Sequence, residues 1–196
     1  MQSARLTHLP VWAVKNLTKK ITFKLDARSI NKAIKEVEAY MAKLKRIEKS
    51  ICEELAKIGL QEARVLFGNA QYDGEKDADV NLKPTESGYR IVASGKTVAF
   101  IEFGTGVHYN RGFSYPIAKP SGIVGIGEYG KKQGRKDEWK YYSEHAGTNG
   151  VLKKSESTGK SYVITHGNPA QMPMYKALVK MQEEAERVVR EAFKNA

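Results

Sequence analysis

The chain has 196 residues and a mass of 21.9 kDa, a size that predicts one hydrophobic core. Hydrophobic residues make up 41% and charged residues 28%, with a mean hydropathy of −0.52. That balance speaks against a membrane protein, and no apolar run approaches the roughly 20 residues that span a bilayer. Lys and Arg number 33 against 22 Asp and Glu, a net charge of +11 that makes polyanions plausible partners without specifying one.

Residues 1–20 read as an N-terminal arm. Its apolar run, Leu9 to Val14, is broken by Pro10 and is too short for a secretory signal, so the chain is expected to work where it is made. The single cysteine, Cys52, has no partner for an internal disulfide and suits a reducing compartment. Residues 21–196 are expected to form one domain. Ile21, Phe23 and Leu25 alternate with polar residues and predict a short strand. The period then changes. Ile30, Ile34, Val37, Met41, Leu44, Ile47, Ile51, Leu55, Ile58 and Val65 step by threes and fours along one face of a long helix, or of two helices meeting near Lys49 and Ser50. Asp26 or Ser29 can cap its start, and Gly68-Asn69 can end it in the left-handed conformation. A helix of that length calls for a partner helix.

Residues 69–84 are polar and turn-rich. Tyr89 to Ser94 alternates as a strand, and after the turn at Ser94-Gly95-Lys96 the β-branched and aromatic run Thr97 to Phe103 reads as the returning strand of a hairpin. A glycine-rich segment at 107–137, with Pro116 and Pro120, offers little regular structure. Two further strands are expected at Trp139 to Tyr142 and Tyr162 to Thr165. Met174, Leu178, Met181, Ala185, Val188 and Ala192 mark a closing helix with Pro173 in its first turn. The fold class is therefore α+β: a small antiparallel sheet of about four strands packed against the long N-terminal helix, or helix pair, and the C-terminal helix.

Candidate chemistry is sparse. Gly125, Gly127 and Gly130 match a dinucleotide fingerprint in letters, but Lys131 to Lys136 is a poor start for the helix that would have to follow, so no cofactor is expected. His8, His108, His145 and His166 lack the spacing that converges on zinc, and no metal site is expected. His108 or His166 with Glu102 could form an acid–base pair, although nothing in the spacing selects it. Between Gly104 and Ala170 basic residues outnumber acidic ones, with Lys131, Lys132, Arg135 and Lys136 clustered beside the aromatics of Trp139-Lys-Tyr-Tyr142. Basic residues interleaved with aromatics could stack on bases.

Two segments together resemble a known family. Glu102-Phe103-Gly104-Thr105-Gly106 closes what reads as a strand, and Trp139 is followed, after a polar gap, by Thr165-His-Gly167-Asn-Pro169-Ala170-Gln-Met-Pro173. In this order they resemble the signature segments of the small neck and tail-completion proteins of long-tailed phages, akin to the lambdoid minor tail protein Z group. The resemblance implies a non-enzymatic structural virion protein of a phage or prophage, assembled in the bacterial cytoplasm. It also implies that copies form a ring joining head to tail, beside connector or head-closure proteins and tail-terminator or tail-tube proteins. The motif residues would set backbone shape, while Lys131, Lys132, Arg135 and Lys136 would form a loop contacting DNA or a partner. The alternatives are a basic nucleic-acid-binding protein and, behind it, a small nuclease or toxin.

Overall fold

A computed structural model of the chain describes residues 20–70, 77–109, 116, 136–147 and 150–196. Most of the N-terminal arm and most of the glycine-rich segment lie outside them. Helix α1 runs unbroken over Ala27–Asn69. Asp26 caps it, its Oδ1 accepting the Ser29 N–H at 2.8 Å, so an orphan donor of the first turn is satisfied. No break occurs near Lys49. The last turn differs from expectation, because neither Gly68 nor Asn69 adopts positive φ; Ala70 instead donates to the Phe67 carbonyl at 3.3 Å.

Strands β1 (Asp79–Thr85) and β2 (Gly88–Ser94) form an antiparallel hairpin. The hairpin is thus one element earlier than the pattern suggests. Only Val80 and Leu82 carry the apolar alternation of β1, and Pro84 sits within it, paired with Tyr89. Residues 98–103, expected as the return strand, are instead helix α2 (Val98–Phe103). Ile21 to Lys24 form no strand either. Beyond the glycine-rich segment come β3 (Trp139–Tyr142), β4 (Gly150–Lys154) and β5 (Ser161–Thr165), and the chain closes with helix α3 (Pro173–Lys194). The strands make two antiparallel sheets, β1-β2 and β3-β5-β4, where about four strands in one sheet were expected. The class is α+β, with small antiparallel sheets accompanying a long N-terminal helix and a C-terminal one.

The chain divides into two compact units, Ala56–Met181 and a second one of Met1–Leu55 with Gln182–Ala196. In the Ala56–Met181 unit the core gathers Ala63, Phe67 and Ala70 of α1 and its end, Val80 of β1, Ile101 of α2 and Ala177 of α3. Gly59 of α1 lies so close to the Met181 side chain that a Cβ there would collide with it. In the other unit Ile47 of α1 and Val188 of α3 are the buried apolar residues, and the two helices flank a groove whose walls include Lys43, Ile47, Val188 and Glu191. Further along, Tyr40 and Leu44 stand opposite Phe193 and Lys194, where α3 ends. The apolar stripe of α1 continues past that point without cover from any described residue: Ile30, Ile34, Val37 and Met41 are 38 to 54% exposed.

Candidate functional site

The two signature segments, far apart in sequence, meet in the Ala56–Met181 unit. Helix α2 carries Glu102, whose side chain is almost wholly buried. Its Oε2 accepts the Met174 N–H at 2.8 Å and its Oε1 the Tyr175 N–H at 3.1 Å. These are among the first donors of α3, which has no residue four positions earlier to bond them, and Pro173 ahead of them has no N–H at all. The carboxylate therefore caps α3 from another helix and places negative charge at the positive end of its dipole. A second tie joins the same helix to the approach to α3, the Gln171 N–H donating to the Ile101 carbonyl at 3.0 Å.

Phe103 ends α2 and Gly104 turns the chain with φ 71°. Thr105 then pairs with Asn168 as an isolated antiparallel bridge: Thr105 N–H to Asn168 O at 2.9 Å, and Asn168 N–H to Thr105 O at 3.0 Å. The Asn168 N–H also reaches Thr105 Oγ1 at 3.0 Å, and Thr165 Oγ1 accepts the Gly167 N–H at 3.0 Å. Trp139 locks the junction. A Cβ on Gly106 would stand 2.9 Å from the indole Cζ3, and one on Gly167 2.9 Å from its Cη2, with the Thr105 carbonyl closer still. Both glycines have positive φ, 76° and 85°, so neither space nor backbone allows a side chain there. Pro169 and Ala170 are half-buried and Pro173 is buried. Glu102, Phe103, Gly104, Thr105, Gly106, Trp139, Thr165, Gly167, Pro169, Ala170 and Pro173 thus belong to one interlocked junction.

At its rim the His108 and His166 rings lie 4.4 Å apart, with Tyr109 edge-on to His108 at 4.8 Å. His166 Nδ1–H donates to the Asp137 carbonyl at 3.0 Å. Glu102, named with them as a possible acid–base partner, has both oxygens engaged by the backbone of α3. Among the described residues no cluster of three His, Cys, Asp or Glu could hold a metal ion, and no helix is long and apolar enough to cross a membrane.

Of the basic cluster, Lys136 is described and exposed, its carbonyl accepting the Val107 N–H at 3.1 Å; Lys131, Lys132 and Arg135 lie outside the described residues. One key residue escaped sequence reasoning. Asp77, within the stretch read as polar turns, accepts hydrogen bonds from Lys96 N–H (2.6 Å), Thr97 N–H (2.9 Å) and Thr97 Oγ1–H (2.6 Å). These bonds, the one from the Thr97 hydroxyl foremost, hold its carboxyl at about 2, below the ordinary 3.8. The Asp77 carboxylate thus satisfies the backbone donors of Lys96 and Thr97, just ahead of α2.

No protein-family model, curated protein or solved structure matches the chain.

Proposed function

We propose that the chain is a structural virion protein of a tailed phage or prophage, a subunit of the ring at the head–tail junction. The observation that carries the assembly reading is the apolar stripe Ile30, Ile34, Val37 and Met41, exposed on α1 at helical steps of four, three and four. Burying an aliphatic side chain of this size is worth about 1.5 to 3 kcal/mol, so a row of four exposed together favours a partner surface. Copies of the chain meeting through unlike patches close a ring when the rotation between them allows it. The placement in a virion rests on the resemblance of the two signature segments. Their meeting at one junction is consistent with the shape-setting roles that the resemblance implies.

A role without catalysis follows the same logic. Glu102, the one buried carboxylate of the signature, is committed to holding α3, and its removal should cost fold rather than turnover. Mass measurement with negative-stain imaging across protein concentration tests the proposal. Closed rings of defined copy number are expected, while a monomer at every concentration and in the presence of the neighbouring virion proteins would overturn it.

A further inference from the structure

The three-stranded sheet presents a face whose composition is unusual for a solvated surface. In the β3-β5-β4 order, Tyr142 stands directly opposite Tyr162, and Tyr162 opposite Lys153; one pair along, Lys140 stands opposite Ile164, and Ile164 opposite Val151. Directly paired residues, and residues two apart on a strand, point to the same side of a sheet, so all six share one face. The other side carries Val163 and Thr165, both buried. The shared face is therefore the outward one, and Tyr142 is 75% exposed and Val151 58%. Lys140 Nζ lies 5.3 Å from the centre of the Tyr162 ring, a cation resting on an aromatic face. Lys140, Lys153, Tyr142 and Tyr162 all line one recess, and Glu156 is its only carboxylate among the described residues.

We propose that this face binds single-stranded nucleic acid, with Tyr142 and Tyr162 as stacking platforms for bases and Lys140 and Lys153 as contacts to phosphates. Side-by-side aromatic rings on a sheet, bordered by cations, are what an unpaired strand needs. Every base has a π-face to lay on a ring, and its backbone carries one negative charge per nucleotide. Two features disfavour other partners. A duplex keeps its bases stacked on one another and has none to offer the tyrosines. An acidic protein surface would satisfy the lysines but leave the neighbouring rings without a flat partner. Stacking uses the π-face that every base has, so binding should be tolerant of sequence. None of these residues belongs to the stripe on α1, so the surface stands or falls independently of ring assembly.

Fluorescence anisotropy of the full chain with labelled dT20, a 20-base-pair duplex, and polyglutamate as a base-free polyanion tests the inference at 50 and 200 mM salt. Single-stranded dT20 should bind tightest, and Tyr142→Ala or Tyr162→Ala should each weaken it about tenfold. Tyr142→Phe and Tyr162→Phe should bind like the parent because they keep the ring. Lys140→Gln with Lys153→Gln should flatten the dependence of log affinity on log salt by about 1.4, or about 0.7 for each single-strand phosphate that a lysine no longer neutralises. Tyr142 is mostly solvent-facing, and circular dichroism of its alanine variant gives the folding control. The inference is overturned if dT20 fails to bind at 50 mM salt, or if the duplex or polyglutamate binds as tightly. It is equally overturned if folded Tyr142→Ala binds dT20 like the parent.

Discussion

Glu102 and Asp77 are both carboxylates that satisfy backbone N–H groups from a distant part of the chain, Glu102 those of the first turn of α3 and Asp77 those of Lys96 and Thr97 just ahead of α2. Glu102 was legible as a hydrogen-bond acceptor because it stands in a recognisable signature, but its partners, Met174 and Tyr175, were not. Sequence spacing does not say that residues more than seventy positions apart will touch. Glu102→Gln keeps the shape and removes the charge, so one helix donor should face an amide nitrogen instead of an oxygen. A loss of about 1 to 3 kcal/mol is expected, measured as a lower denaturant midpoint; an unchanged midpoint would argue that the carboxylate is kept for chemistry. Asp77 makes a pH-dependent contribution instead. Its folded-state pKa of about 2 lies below the ordinary 3.8, so the folded form binds the proton less readily than the unfolded one. The stability it adds is fully present above about pH 4 and is lost as the pH falls toward 2. Urea midpoints of the parent and Asp77→Asn should differ most at neutral pH and converge over that window.

At the scale of elements, the helices α1 and α3 were readable because each buries one face and its apolar residues recur every three or four positions. Helix α2 was not. Val98, Phe100 and Ile101 favour strands by local propensity, yet Asp77 holds the turn just ahead of the helix while Ile101 and Glu102 tie it to the approach and first turn of α3. Tertiary bonds override a weak local preference in so short a segment. Strand β4 hides for a different reason: four of its five residues are exposed, so burial writes no alternation into Val151 to Lys154. The junction of the two signature segments gives this scale its test. Gly167→Ala would place a Cβ against the Thr105 carbonyl and the Trp139 ring on a backbone with φ 85°. Strain and overpacking together should cost at least about 2 kcal/mol, which is about 4 to 8 °C in Tm for a chain of this size. Gly159 also has positive φ, 65°, but nothing within 4 Å of its would-be Cβ, so Gly159→Ala isolates the backbone share of that cost. Equal losses in the two variants would show that the close packing of Trp139 contributes nothing.

For the whole molecule the question is what the first turns of α1 are for. The sequence pattern treats Ile30, Ile34, Val37 and Met41 no differently from Ile47 or Ile51, since all lie on one stripe; the structure separates them by exposure. Among the described residues these side chains are 38 to 54% exposed, so replacing them should cost the isolated subunit little. Ile34→Asp with Met41→Asp should therefore leave the thermal unfolding of a monomer within about 1 kcal/mol of the parent, since exposed substitutions each shift stability by about 0.5 kcal/mol or less. The same pair should abolish association. Charges buried in an apolar seam have no partners and carry a desolvation penalty of several kcal/mol each. Sedimentation and light scattering across concentration read the two effects separately. The expected outcome is a folded variant that stays monomeric where the parent assembles. A variant that assembles like the parent would remove α1 from the seam and leave ring closure to another surface.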